Sequence, residues 1–190
     1  MKNLNDLNKK DIKEICDYLK KPSIDEADDK KRFNKIKKIL APNAKKGGPV
    51  GEAIVRIYYE KLKKNYYSNP QQQNYVSKLG KKIGVRPDGC LIENEDTSYW
   101  VESKIRRYQS NGTAHEKVPN VPMKYRPIGG QVILFLLADD EHRYNTEWTA
   151  VCRGEIDPED DAEEFRKKAD TSVLKEIILG TEVAKALEKI

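Results

Sequence analysis

The N-terminal part of the chain spaces its apolar side chains three and four residues apart, as amphipathic α-helices do. A capping-box pattern at residues 23–26 predicts the start of the second helix, and Pro42 predicts its end. Asn69 and Pro70 are typical of a helix cap followed by proline in the first turn, which predicts a short fourth helix. The pattern predicts four helices in all. Their apolar residues, in chain order, are Ile12, Ile15, Cys16 and Leu19; Phe33, Ile36, Ile39 and Leu40; Val50, Ala53, Ile54, Ile57, Tyr58 and Leu62; and Val76 and Leu79.

The pattern then changes to that of strands. Residues 90–92 and 97–105 predict two strands joined by the turn-forming sequence ENED. Residues 132–138, VILFLLA, are apolar at nearly every position, as in a strand covered on both faces. Residues 148–152 are a candidate for a further strand, whereas helices are predicted from Asp157 and over residues 172–179. These elements predict an α/β fold with a central mixed sheet flanked by helices.

The length and the absence of repeats or long linkers predict a single domain over residues 1–190. Its expected parts are a helical N-terminal portion at about residues 1–83, a sheet core at about 84–152 and C-terminal helices at about 157–190. No apolar run approaches the roughly 20 residues that cross a bilayer. The first residues lack the apolar core of a signal peptide. We therefore expect a soluble protein of the cytoplasm.

Charge is distributed unevenly along the chain. Residues 131–190 contain 8 Lys and Arg against 15 Asp and Glu, a net charge of −7, which leaves 28 against 16, a net of +12, in residues 1–130. A basic surface suits a polyanion, because each neutralised phosphate releases condensed counterions. Runs such as KKRFNKIKK could equally be solvated helix faces, so charge alone does not decide for nucleic acid.

The cysteines predict neither a zinc site nor a disulfide framework. Cys16, Cys90 and Cys152 are widely spaced, form no CxxC pair and are accompanied by only two histidines. Buried free thiols are the expected state.

An acid and a base interrupt the second predicted strand. Residues i and i+2 of a strand share a face, so Glu102 and Lys104 project together. Antiparallel pairing through the ENED turn would bring Asp88, which lies between Pro87 and Gly89, close to them. The pattern predicts that three charges meet at one end of a hairpin.

Two carboxylates with water and a phosphate oxygen are suitable ligands for Mg²⁺. Such an ion polarises a phosphodiester, and Lys104 could position or deprotonate the attacking water and stabilise developing negative charge. The acid-x-lysine spacing also occurs elsewhere in the chain, but there it lies in predicted helices, where i and i+2 diverge. A charged edge strand carrying a surface ion pair is the alternative interpretation.

The sequence PDG followed by WVESK resembles the PD-(D/E)xK nuclease motif, in a setting similar to that of type II restriction endonucleases. The resemblance covers about residues 48–138. It implies a restriction endonuclease-like fold in which Asp88 and Glu102 bind Mg²⁺ and Lys104 assists the attacking water. It further implies sequence-specific hydrolysis of double-stranded DNA to 5′-phosphate ends, a homodimer, and a companion DNA methyltransferase.

Two neighbouring segments add to the resemblance. GPVGEAIVRIYYE is similar to the helix that precedes the catalytic hairpin and often carries another acid, for which Glu52 is the candidate and Glu60 the competitor. NGTAHEKVP is similar to a segment of several restriction enzymes and would bring Glu116 and Lys117 near the site. Glu52 could instead favour a helix N-terminus by its charge, and the Glu116 and Lys117 pair could be a plain loop ion pair.

Basic side chains after the motif are candidate DNA contacts: Arg106, Arg107, His115, Lys124 and Arg126. For His115 a solvent-facing loop position is the alternative. Two other functions stay open at this stage. One is a structure-specific, repair or mobile-element nuclease of the same fold, and the other is a non-catalytic DNA-binding protein.

Overall fold

The computed structural model describes residues 2–21, 23–45, 47–68, 70–71, 73–76, 82–105, 120–137 and 173–189. Along these segments the helices and strands are α1 (Lys9–Lys20), α2 (Glu26–Leu40), α3 (Gly48–Lys61), β1 (Asn65–Ser68), β2 (Gln73–Val76), β3 (Lys82–Val85), β4 (Gly89–Ile92), β5 (Ser98–Ile105), α4 (Asn120–Tyr125), β6 (Val132–Leu137), β7 (Leu174–Leu179) and α5 (Gly180–Glu188).

A five-stranded mixed sheet in the order β1-β4-β5-β6-β7 forms the centre of the protein. The strands β1, β4 and β5 are antiparallel neighbours, while β5, β6 and β7 run parallel. The strands β2 and β3 form a separate antiparallel hairpin. The predicted α/β fold, with a mixed sheet between helices, is confirmed.

Each face of the sheet is covered by its own apolar layer. On one face Ile133, Phe135 and Leu137 pack with the apolar sides of α1, α2, α3 and α5. On the other face Val132, Leu134 and Leu136 pack with Val121 and Tyr125 of α4 and with residues of β7. All six residues of β6 are buried, which confirms that this strand is covered on both sides.

The first three predicted helices are confirmed, with two local differences. The cap of α2 is Asp25, whose carboxylate accepts a hydrogen bond from the Asp28 N–H at 2.7 Å, and not Ser23. Leu62 was expected on the apolar side of α3, but the helix ends at Lys61 and Leu62 is 41% exposed.

Two helix predictions are wrong. The segment after Pro70 contains β2, a strand paired with β3. That helix prediction depended on only Val76 and Leu79, and two apolar residues cannot establish a period. Residues 174–179 form β7 and not a helix, and Gly180 begins α5 where it was expected to end a helix. A short apolar run fits a buried strand as well as a helix, and pairing with β6 decides for the strand.

Strand β1 was not predicted at all. It extends the sheet beyond β4 and, together with β2 and β3, lies in the portion assigned to helices. The predicted strand at 148–152 and helix from Asp157 lie outside the described residues. Among the helices in the described segments, none has both the length and the apolar character that a bilayer crossing demands.

Candidate active site

The β4–β5 hairpin brings Asp88 beside Glu102. Gly89 is the register partner of Val101, and the Asp88 N–H donates to the Val101 carbonyl at 3.1 Å. Asp88 therefore stands one residue before β4 begins, at the level of Glu102 on the neighbouring strand. The backbone of the hairpin thus brings Asp88 to the level of Glu102, as expected.

Glu102 and Lys104 share one face of β5, as the alternation of a strand requires. The Lys104 ammonium donates to Glu102 Oε1. Glu102 is only 3% exposed, so its negative charge needs partners close by.

Two further partners of Glu102 come from α4. The Lys124 ammonium lies 2.9 Å from Oε1 and 2.8 Å from Oε2, and the Tyr125 hydroxyl donates to Oε2. Tyr125 is completely buried, whereas Lys124 reaches the carboxylate from a more open position. Sequence reasoning named Lys124 only as a candidate DNA contact and missed Tyr125, although both lie in the singled-out segment PMKYRP.

Asp88 is fixed by a residue on the opposite face of β5. The Ser103 N–H and hydroxyl both donate to Asp88 Oδ2, at 2.8 and 3.0 Å. Because β4 starts only at Gly89, the carboxylate receives the Ser103 N–H just past the end of the β4–β5 ladder. The alternation that placed Glu102 and Lys104 correctly gave Ser103 no role, because this contact depends on where β4 ends.

Helix α3 carries the third acid of the site, Glu52. Gly51 lies directly against β5, where a Cβ would be 3.1 Å from Ser103 Oγ, and Glu52 follows it. Glu60 lies elsewhere, since it accepts the Leu4 N–H at 2.6 Å and is 3.7 Å from Arg56 Nε. Of the two candidate acids on α3, Glu52 is the one beside the hairpin.

The carboxylates influence one another's protonation. Burial raises the pKa of Glu52, and the negative charges of Asp88 and Glu102 raise it further, against the opposing effect of Arg86. Burial and the charge of Glu102 likewise raise the pKa of Asp88, although the bonds from Ser103 partly offset this. The site therefore concentrates negative charge in a partly desolvated place.

Glu102 behaves in the opposite way. Burial alone would raise its pKa, but the ammonium groups of Lys104 and Lys124 bring the pKa below its ordinary value. Glu102 is thus the carboxylate held most firmly in the charged state.

Tyr66 on β1 also borders the site. A Cβ at Gly89 would lie 2.3 Å from the Tyr66 hydroxyl, so the ring covers Gly89 immediately beside Asp88. Burial, together with the charges of Asp88 and Glu52, raises the pKa of Tyr66 above its ordinary range. The sequence had suggested Tyr66 only as one of several tyrosines that could stack on bases, and its place beside the hairpin was not predicted because β1 itself was not predicted.

The donor chemistry of the site fits Mg²⁺, which takes hard carboxylate oxygens. Mutual repulsion of Glu52, Asp88 and Glu102 is the kind of strain that a divalent cation relieves. In the part of the chain that the structure describes, no cluster of three or more His, Cys, Asp or Glu is gathered closely enough to hold a metal ion. The Glu102 carboxylate instead forms ion pairs with the ammonium groups of Lys104 and Lys124.

The remaining candidate residues separate into two groups. Arg126 is exposed in the turn that follows α4. The others, Arg106, Arg107, His115, Glu116 and Lys117, lie outside the described residues.

The chain was compared with known proteins in three ways. No protein-family model matches it, and neither the curated proteins nor the solved structures contain a significant match.

Proposed function

We propose that this protein is a Mg²⁺-dependent endonuclease that hydrolyses double-stranded DNA at specific sequences, as type II restriction endonucleases do. The observation that carries the proposal is the meeting of Asp88, Glu102 and Lys104 at the end of the β4–β5 hairpin. Glu52, close enough for its charge to act on Asp88 and Glu102, supports it. A surface ion pair on an edge strand, the alternative interpretation, does not fit a strand that lies third in a five-stranded sheet.

Each side chain has a role in this proposal. Asp88, Glu102 and Glu52 would hold Mg²⁺, which when bound polarises the scissile phosphate and lowers the pKa of water. Ser103 keeps the Asp88 carboxylate oriented through two hydrogen bonds. Lys104, half-buried beside Glu102, would stabilise the negative charge that the phosphate gains in the transition state.

The partners follow from the substrate class. The net charge of +12 over residues 1–130 suits a polyanion. Cleaving both strands of a palindrome calls for a homodimer whose two-fold axis matches that of the DNA. Cleavage would leave 5′-phosphate ends, would take place in the cytoplasm, and would require a companion DNA methyltransferase to protect the host's own DNA.

The test is incubation of the purified protein with phage or plasmid DNA and Mg²⁺. We expect discrete fragments that disappear when Mg²⁺ is chelated. The variants Asp88→Asn and Lys104→Met should lower the cleavage rate by about a hundredfold to ten-thousandfold. Lys185→Met, a change of an exposed lysine on α5, is the matched control and should cut like the wild type.

Other outcomes would select the alternatives. A random smear of products, or cleavage of branched but not linear DNA, would indicate a non-specific or structure-specific nuclease of the same fold. DNA binding without cleavage of any substrate would indicate a non-catalytic DNA-binding protein and overturn the proposal.

A further inference from the structure

The Glu102 carboxylate is neutralised by two lysine ammonium groups of the protein itself. The Lys124 ammonium bridges its two oxygens at 2.8 and 2.9 Å, and the Lys104 ammonium contacts Oε1. This carboxylate is one of the three that the proposed function assigns to Mg²⁺. A metal ion and the ammonium groups therefore require the same oxygen atoms.

Lys124 is the more easily displaced of the two lysines. Its side chain is 35% exposed, against 17% for Lys104. Lys104 belongs to the central strand β5, whereas Lys124 lies on the short helix α4 next to solvent. Because part of its side chain faces solvent, the Lys124 ammonium can move outward by rotation of its own side chain, without movement of the backbone.

Tyr125 keeps α4 in place when Lys124 moves. It is fully buried in the layer on this face of the sheet, and its hydroxyl keeps a hydrogen bond to Glu102 Oε2. The Lys124 ammonium also lies 5.1 Å from the centre of the Tyr125 ring. Release of Lys124 thus leaves both the helix and the carboxylate anchored.

We propose that Lys124 is an internal counter-ion, which neutralises Glu102 in the cation-free protein and is displaced when a divalent metal ion binds. The inference rests on the proposed function, because it concerns metal loading at the same site. Two cations that compete for one carboxylate lower each other's affinity by the same factor. The protein stabilises its buried carboxylate before a metal arrives, and its affinity for the metal is reduced in consequence.

Direct measurement of metal binding tests this proposal without DNA. Mn²⁺ is the probe, because it takes the same oxygen ligands as Mg²⁺ and its free concentration is visible by electron paramagnetic resonance. Lys124→Met removes the competing charge, and we expect it to lower the Mn²⁺ dissociation constant about threefold to tenfold. Lys124→Arg keeps a positive charge and should stay near the wild-type value, as should Lys185→Met on α5.

The competing outcomes are distinct. Unchanged or weaker Mn²⁺ binding by Lys124→Met, or no Mn²⁺ binding by either protein, would overturn the inference. Circular dichroism of each variant confirms its fold, and Lys124→Gln replaces Lys124→Met if the latter does not fold.

A parallel plasmid-cleavage assay separates this inference from the proposed function. Cleavage by the wild type together with equal Mn²⁺ affinities would overturn the counter-ion and leave the nuclease. Tighter Mn²⁺ binding by Lys124→Met, with no cleavage of any DNA, would overturn the nuclease and leave the counter-ion.

Discussion

Glu102 carries a full negative charge in a place with almost no access to solvent, and side chains from two elements stabilise it there. Removing one of them leaves part of the desolvation cost uncompensated. Its environment therefore determines both the stability of this end of the sheet and the chemistry available there.

The Tyr125 hydroxyl can be deleted with little change of shape. We expect Tyr125→Phe to lower the free energy of unfolding by about 1.5–3 kcal/mol, the range for a hydrogen bond to a charged group. Urea denaturation measures the difference. Tyr67→Phe, at an exposed position on β1, serves as the control and should be neutral. Equal stability of the two variants would show that the Tyr125 hydroxyl does not stabilise the Glu102 carboxylate.

Asp88 is expected to reduce stability at neutral pH. Its pKa is raised in the folded state, so the charged form costs free energy at every pH above that value. The cost disappears as the pH falls through the folded pKa towards the ordinary value of 3.8. Asn in its place still accepts from Ser103 but carries no charge. We expect Asp88→Asn to raise the thermal unfolding midpoint at pH 7, by an amount that shrinks in acid.

Thermal melts of both proteins between neutral pH and pH 4 measure this effect. Asp96→Asn, in the exposed turn between β4 and β5, is the control for simple loss of a negative charge. A midpoint for Asp88→Asn at or below that of the wild type at pH 7 would refute the prediction.

Between elements, the tight contact beside the site is the one between β1 and β4, where Tyr66 lies against Gly89. A Cβ at Gly89 would lie 2.3–2.5 Å from the ring and hydroxyl of Tyr66, so the Tyr66 ring would have to move. We expect Gly89→Ala to destabilise the protein by about 1–3 kcal/mol, as overpacking does.

Gly48 supplies the matched comparison for Gly89. It lies in the first turn of α3, and a Cβ there would meet nothing closer than Glu52 Oε1 at 4.0 Å. Gly48→Ala should therefore change the stability by no more than about 1 kcal/mol, because helix propensity favours Ala whereas Pro49 disfavours helical backbone at the residue before it. The same unfolding experiment reports both, and a destabilisation shared equally by the two variants would exclude crowding at Tyr66 as the cause.

The sequence allowed some elements to be predicted and not others, for physical reasons. The helices α1 to α3 have long apolar sides whose period is unambiguous, and β6 is apolar throughout. The strands β2 and β7 were predicted as helices because runs of a few residues have no reliable period. Their partner strands, rather than local preference, determine their conformation.

The residues of the candidate site likewise fall into those that the sequence could predict and those that it could not. Asp88, Glu102 and Lys104 belong to one hairpin, so alternation and a short turn suffice to bring them together. Lys124, Tyr125 and Tyr66 reach the hairpin from elements that are remote in the chain. Such contacts depend on the order of strands in the sheet, which no local pattern in this sequence encodes.

At the scale of the whole molecule, the excess of positive charge predicts salt-dependent DNA binding. Affinity should fall as the salt concentration rises, with a slope of about −0.9 for each phosphate contact. Arg126 is exposed in the turn that follows α4, and Arg126→Ala should lower the magnitude of the slope by about 0.9, the value for one phosphate contact. Fluorescence anisotropy without divalent ions measures this, with Lys185→Met as the control. Affinity that does not change with salt would argue against a polyanion partner.

Along the chain α4 lies between β5 and β6, so it leaves the ribosome after β5. This order affects how the protein folds during its synthesis. A nascent chain that has left the ribosome only as far as β5 already contains Asp88, Glu102 and Lys104, but it lacks Lys124 and Tyr125. Glu102 then remains hydrated, and burying this strand is unfavourable until α4 has emerged. We therefore expect the hairpin to complete its packing late in translation, when β6 and β7 arrive and the Glu102 carboxylate already has its partners.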